Sequence, residues 1–207
     1  MYDDLALQFK AALDTIPQMK TEYPEIEIRL GKFHENRTFV SSLPKHVFDH
    51  LLMMFRSCKK WNHVYETQSV DYFQKNIRLS KTKDNVEYIQ KVKFGASDMK
   101  NEKDRIDVRL SISTENPLEI PKEIDVNNID ESLFDTIRHK LRYSFCYKNI
   151  WKYDFTIVNG SIYEIEIELL NPKNTLQIYT TKYLVESLIM KIKDIDDEIN
   201  KHNLLSK

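Results

Sequence analysis

Two short stretches alternate carboxylate with isoleucine: Glu25-Ile26-Glu27-Ile28-Arg29 near the start of the chain and Glu164-Ile165-Glu166-Ile167-Glu168 near its end. Successive side chains of a β-strand point to opposite faces, so each stretch, as a strand, gathers its charges on one face and its isoleucines on the other. Same-face neighbours lie about 7 Å apart, and like charges at that spacing repel, so the row calls for cations opposite it. One such strand is compatible with a plain amphipathic strand wetting its polar face. Two of them, with basic strands of the same alternation between, constrain the fold far more.

The rest of the chain supplies those strands. Residues 3–13 read as a helix with Leu5, Phe9 and Leu13 on one stripe. The first acidic strand follows Pro24 and runs to Leu30, and a polar second strand is predicted over 34–40. A helix from Pro44 turns Val47, Leu51, Met54 and Phe55 inward. Its His46 and His50 stand one turn apart, lack a third metal ligand, and read as solvent-facing. From Trp61 to Leu170 strands predominate. Residues 70–80 place Tyr72, Gln74, Asn76, Arg78 and Ser80 on one face, with Phe73, Ile77 and Leu79 on the other. Residues 87–94 bring Lys91 and Lys93, and 105–113 alternate Arg105, Asp107, Arg109 and Ser111 with aliphatics. After a helical turn near 131–136, residues 137–147 carry Arg138, Lys140, Arg142 and Ser144, and 151–158 carry Lys152, Asp154 and Thr156. A final helix is predicted over 179–202, with Leu184, Leu188, Ile192, Ile195 and Ile199 at helical spacing.

The turn after residue 158 decides whether the last two charged rows share a face. A two-residue Asn159-Gly160 turn would separate them. A three-residue loop of Val158, Asn159 and Gly160 keeps them together, with Asp154 opposite Glu164 and Lys152 opposite Glu166.

Strands this uniformly two-faced, with too few helices to back a flat sheet, predict an α+β fold: a closed antiparallel eight-stranded β-barrel with flanking helices. The apolar faces pack outward and the polar faces line a lumen large enough for one small ligand. The 207 residues fit a single domain, 1–207, and carry 31 basic and 32 acidic side chains for a net charge of −1. That balance excludes a general polyelectrolyte attraction to nucleic acid and turns attention to where each sign is concentrated. Three glycines exclude a Walker loop and a dinucleotide fingerprint, so any phosphate must be held by side chains. Two cysteines give no disulfide framework, which suits a reducing compartment, and no apolar run reaches transmembrane length, so no membrane partner is expected. Buried charges at this density are costly unless paired or bound by ligand. An acidic floor facing basic walls suits a polyanion arriving with a divalent cation, and oxygen-only ligands select Mg²⁺ or Mn²⁺.

The ordered set of motifs resembles the triphosphate tunnel metalloenzymes, most closely the metal-dependent RNA 5′-triphosphatases of fungal and large-DNA-virus mRNA capping systems. The resemblance is carried by the two acidic strands, by Asp107-x-Arg109 leading to Glu115, by Arg138-x-Lys140-x-Arg142 and by Lys152-x-Asp154-x-Thr156. It runs from Glu25 to Glu168. It departs from relatives in Arg29, where lysine is frequent, and in the short connection between Asp154 and Glu164.

The resemblance implies hydrolysis of the γ-phosphate of triphosphate-ended RNA, the first step of capping. Glu25, Glu27 and Glu168 are then metal ligands, Glu115 orients or deprotonates the attacking water, and Arg78, Lys140 and Arg142 neutralise the transferring phosphoryl group. Arg29, Lys91, Lys93, Arg109, Arg138 and Lys152 grip the remaining phosphates, while Asp107, Asp154, Glu164 and Glu166 orient these cations. For Arg105 and Arg138 an ion pair within the tunnel is an equal reading. Nucleoside triphosphates are expected as further substrates. The absence of a Lys-x-Asp-Gly motif leaves guanylyl transfer to another domain or subunit, and the chain is compatible with being the N-terminal part of a longer capping enzyme. The implied location is cytoplasmic or nuclear, or a virus factory for a viral protein. Two rivals stay open: a tripolyphosphatase or nucleotidase on the same tunnel, and a non-catalytic polyphosphate-binding barrel.

Overall fold

The computed structural model describes residues 1–34, 38–102 and 105–205. Its strands are β1 (Pro24–Phe33), β2 (Phe39–Val40), β3 (His63–Gln74), β4 (Ile77–Lys81), β5 (Val86–Met99), β6 (Asp107–Pro117), β7 (Thr136–Tyr147), β8 (Trp151–Val158) and β9 (Ile162–Leu169). The helices are α1 (Tyr2–Thr15), α2 (Lys45–Ser57), α3 (Pro172–Ile178) and α4 (Thr181–Lys201). Each strand pairs antiparallel with its neighbours in the order β1-β6-β5-β4-β3-β7-β8-β9, and β9 pairs back with β1 to close an eight-stranded barrel. Strand β2 is an addition on the edge of β1, where Gly31 lets the backbone of Val40 approach. A Cβ at Gly31 would stand 2.2 Å from the Val40 carbonyl oxygen.

The outward isoleucines of the acidic strands, Ile26, Ile28, Ile165 and Ile167, are fully buried, because helices cover that side. Helix α1 sets Phe9 against Trp151, ring centroids 6.0 Å apart, and α4 accepts the Trp151 indole N–H on Ser187 Oγ at 3.0 Å. Helix α2 lays Phe48 and Phe55 on Phe155, with centroids 5.6 and 4.8 Å apart. Over β3–β5 the cover is thinner. The segment between β6 and β7 crosses there, setting Phe134 at a tilt against Tyr72 and accepting Lys81 Nζ on the Val126 carbonyl at 2.7 Å.

Several boundaries differ from the sequence expectation. Residues 70–80 are not one strand but the β3–β4 hairpin, turning at Lys75, which adopts a left-handed φ of 55°. The turn resets the parity: Phe73 pairs with Arg78 and Asp71 with Ser80, so Tyr72 faces outward while Phe73 and Asp71 join the lumen row. Strand β5 continues past Phe94 to Met99 through a bulge between Lys93 and Gly95. Strand β6 starts at Asp107, which leaves Arg105 outside the barrel in an ion pair with Asp196 at 2.9 Å. The expected second strand shrinks to β2; residues 35–37 lie outside the described residues. The β8–β9 loop does hold three residues, which keeps both charged rows inside. They are Asn159, Gly160 and Ser161, so Asp154 pairs with Glu166 and Lys152 with Glu168, one pair further along than expected. Asn159 and Gly160 both take positive φ, 50° and 72°, which shifts the left-handed bend one residue earlier.

Candidate active site

The lumen carries its two signs on different strands. Glu27 on β1 pairs directly with Glu168 on β9, and Glu25 precedes it by two residues, so three carboxylates share one corner. Glu115, near the end of β6, stands opposite Lys91 of β5. The Lys91 ammonium sits between these groups, 2.5 Å from Glu25, 3.3 Å from Glu115 and 3.6 Å from Glu27. Ser113 Oγ donates to Glu25 at 2.6 Å, and Lys152 pairs with Glu168. Arg29 shares its guanidinium between Glu166 at 2.9 Å and Glu27 at 3.1 Å.

Burial sets the electrostatics of this corner. Glu27 is pushed up to about 7, first by burial and then by the neighbouring charge of Glu166. Glu168 is also raised by burial, with Lys152 pulling only partly against it. Burial pushes Glu166 upward too, but Arg29, Arg142, Lys140 and Lys91 together outweigh it and hold the carboxyl well below its usual range. Of the two carboxylates on Arg29, Glu166 therefore keeps its charge and Glu27 bears the repulsion. Burial opposes ionisation of Glu115 as well, yet Arg78 and Lys91 overcome it and keep the group anionic.

The opposite wall is basic. Arg138, Lys140 and Arg142 of β7 point inward beside Lys152 of β8, and each meets a carboxylate, with Lys152 sharing that of Arg142 at 3.4 Å. Arg138 pairs with Glu164 at 2.6 Å, Lys140 with Asp71 at 2.5 Å, and Arg142 with Asp154 at 3.2 Å. Ser144 and Ser80 donate to Asp154 and Asp71 at 2.6 and 2.7 Å, fixing those carboxylates from behind. Arg78 reaches Glu115 at 3.0 Å. Its Nε is buried and makes no hydrogen bond. A cavity of about 350 Å³ opens between β3, β4 and β7, lined by Arg78, Lys140, Arg142, Lys152, Asp71 and Tyr65. A second, of about 440 Å³, lies at the start of β1 and the end of β9 and reaches Glu25, Glu115 and Glu168.

This donor set fits a hard divalent cation. Four carboxylates, Glu25, Glu27, Glu115 and Glu168, converge here beside Lys91, Lys152, Arg29 and Arg78, and burial still raises two of the four, Glu27 and Glu168, against those cations. The buried, unbonded Nε–H of Arg78, at the edge of the cavity that Lys140, Arg142 and Lys152 also line, fits an oxygen of an anion.

Most of the predicted site residues meet in this lumen: Glu25, Glu27, Arg29, Arg78, Lys91, Glu115, Arg138, Lys140, Arg142, Lys152, Asp154, Glu164, Glu166 and Glu168. Three stand apart. Arg109 is next to Arg29 in register, but its guanidinium turns to Asp98, at 2.5 and 2.7 Å, and stacks on Phe39. Lys93 is exposed beside the β5 bulge. Asp107 orients no tunnel cation; it accepts the backbone N–H groups of Phe33 and Asn101 at 2.8 and 2.7 Å and so ties the end of β1 to the β5–β6 connection. The sequence reading missed Asp71, the partner of Lys140. A turn signal at Lys75-Asn76 would have moved it onto the lumen face.

The sequence matches the family described as mRNA capping enzyme, beta chain, over residues 32–187. No curated protein sequence matches it. Among solved structures, the fold is similar to the RNA triphosphatase Pct1 of S. pombe, seen in complex with the Spt5 CTD. The TM-score is 0.70 at 19% identity, covering 96% of this chain and 91% of that one. It is also similar to the triphosphatase of the Mimivirus capping enzyme, with a TM-score of 0.57 at 14% identity, covering 91% and 95%. Both likenesses establish the tunnel fold.

Proposed function

This chain belongs to the mRNA capping enzyme beta chain family, the RNA triphosphatases, and on that premise we propose that it works with Mg²⁺ or Mn²⁺ held by Glu25, Glu27 and Glu168. Its reaction is that of a polynucleotide 5′-phosphatase: removal of the terminal phosphate of triphosphate-ended RNA, the first step of capping. The observation that carries the metal assignment is the convergence of buried Glu27 and part-buried Glu25 and Glu168 from β1 and β9, facing a basic wall across a closed lumen.

When bound, a divalent ion there polarises a γ-phosphate oxygen and offsets the charge that develops on it. The protein's own groups do the positioning. Arg78, Lys140 and Arg142 neutralise the transferring phosphoryl group, with Asp71 and Asp154 holding two of them in place. Glu115, kept anionic by Arg78 and Lys91, is a weak base but a good acceptor, so it orients the attacking water. Arg29, Lys91, Arg138 and Lys152 grip the remaining phosphates by exchanging carboxylate partners for phosphate oxygens. The lumen recognises phosphate and little else, so nucleoside triphosphates are substrates too, with little preference among bases. A guanylyltransferase domain or subunit completes the cap.

The test is kcat/KM for triphosphate-ended RNA, nucleotide and tripolyphosphate side by side, with and without chelator. The expected result is metal-dependent cleavage of all three with RNA preferred. A strong preference for tripolyphosphate with RNA inert, or full activity in chelator, would overturn the proposal.

A further inference from the structure

Outside the barrel, α2 lies against the end of α4, and three ligand-type groups meet there that the tunnel chemistry does not use. His50 Nε2 on α2 is 2.9 Å from Glu198 Oε1, and His202 Nε2 is 3.2 Å from the same oxygen. The two imidazole rings are 4.7 Å apart between centroids, and the three ligand atoms all lie within 4.8 Å of one another. Glu198 and His202 are one turn apart on the last stretch of α4. From the sequence, His46 was the obvious companion of His50. The structure instead commits His46 Nε2 as a donor to the Leu204 carbonyl, at 2.6 Å, and supplies the missing ligands from the far end of the chain.

We infer that His50, Glu198 and His202 form a site for a divalent ion of the zinc class, clipping α2 to the end of α4. The geometry is close to what such an ion requires. A tetrahedral ion with bonds of about 2.0–2.1 Å holds its ligands about 3.3 Å apart. The two histidine-to-carboxylate spacings, 2.9 and 3.2 Å, reach that with shifts of a few tenths of an ångström, and the two histidine nitrogens, within 4.8 Å of each other, close on it by rotation of the exposed His202 ring. The site is partly open, with His202 42% exposed, so water has access to a fourth position. Two imidazole nitrogens and one carboxylate select zinc, cobalt or nickel over magnesium, whereas the tunnel floor offers only oxygen. The location also favours a cation: the site lies at the C-terminal end of α4, where unpaired carbonyls carry partial negative charge. The nearest competing cation, Lys201, is 3.9 Å from the other carboxylate oxygen and exposed. Leu204, just beyond, is buried in the core, so an ion here would fasten the end of α4 to the barrel through α2.

Co²⁺ and Zn²⁺ binding to the full chain, in excess Mg²⁺ to fill the tunnel, tests this independently of the catalytic proposal. The wild type should bind one equivalent of Co²⁺ with the visible absorption of a low-coordinate nitrogen-oxygen site, displaced by Zn²⁺. His50→Gln and His202→Gln should each weaken it by about 100-fold or more, with phosphate release and far-ultraviolet circular dichroism unchanged. Glu27→Gln should leave it intact. Zinc should raise the melting temperature of the wild type and not that of His50→Gln. Absence of Co²⁺ binding to the wild type would overturn the inference. So would binding that survives both histidine variants, or binding lost in Glu27→Gln instead.

Discussion

The acidic corner and the basic wall of the lumen are built from the same kind of strand, yet they differ in how completely their charges are matched. On the wall, Arg138, Lys140 and Arg142 each pair with a carboxylate, Asp154 being shared with Lys152, and all three carboxylates are braced by serine hydroxyls. In the corner, Glu25, Glu27 and Glu115 crowd the Lys91 ammonium, and burial together with the charges of Glu166 and Glu25 pushes Glu27 up to about 7 although Arg29 and Lys91 stand beside it. A matched wall is a rigid frame whose cations keep their places when phosphate arrives. An under-neutralised corner is a frame that improves when a cation is added. The same isolated strand pattern thus serves two chemistries, and what separates them is the local surplus of carboxylate.

The largest effect that would break this contrast lies in the corner. Glu25→Ala, Glu27→Ala and Glu168→Ala should each lower kcat/KM by about 10³-fold or more while the barrel stays folded. A folded variant with near-normal turnover would remove the metal assignment.

On the wall the expected loss is smaller and of another kind. Arg142→Ala should lower kcat by about 10²–10³-fold without weakening metal binding. Lys140→Ala should in addition destabilise the protein by about 3–5 kcal/mol, because it leaves Asp71, 3% exposed, charged and unpaired. Lys140→Ala combined with Asp71→Asn should recover most of that stability and none of the activity. Denaturant unfolding and phosphate release together separate the two effects.

The pH dependence sharpens the comparison further. Glu27 is raised above its unfolded value, so without metal its contribution to stability is complete below about pH 4.5 and is lost as pH rises through about 7. Glu27→Gln should therefore raise the unfolding free energy at pH 8 in chelator, by an amount on the order of 2 kcal/mol, while abolishing turnover. A divalent ion must displace that proton, so apparent metal affinity should fall about tenfold per pH unit below 7. A flat affinity between pH 5.5 and 7 would contradict the proposed role of Glu27. The smallest effect is expected at Arg109. Held by Asp98 and Phe39 rather than by the cluster, its replacement by alanine should change kcat/KM by no more than about threefold.

What the sequence made legible follows the period of two. Wherever a strand runs unbroken, as in Glu25–Arg29, Arg138–Arg142 and Glu164–Glu168, alternation alone put the right side chains in the lumen. It failed where the backbone inserts a residue out of period. The turn at Lys75 reversed the faces of Tyr72 and Phe73 and hid Asp71. Asp107 and Arg109 have lumen parity, yet local partners at the start of β6 claim both side chains: Asp107 by the backbone amides of Phe33 and Asn101 and Arg109 by Asp98. Parity states which face a side chain leaves from, and the partner it finds depends on neighbours that the one-dimensional pattern does not contain. The cluster of His50 with Glu198 and His202 shows the same limit, because its members come from opposite ends of the chain.

The central claim is that the under-neutralised corner is a cation site and the matched wall is not. Crystals of the wild type, Glu27→Gln and Arg142→Ala soaked in Mn²⁺ test it directly through anomalous difference maps. The account predicts a strong peak among Glu25, Glu27 and Glu168 in the wild type and Arg142→Ala, and no peak there in Glu27→Gln. An active wild type whose lumen peak lies elsewhere, or persists unchanged in Glu27→Gln, would contradict it.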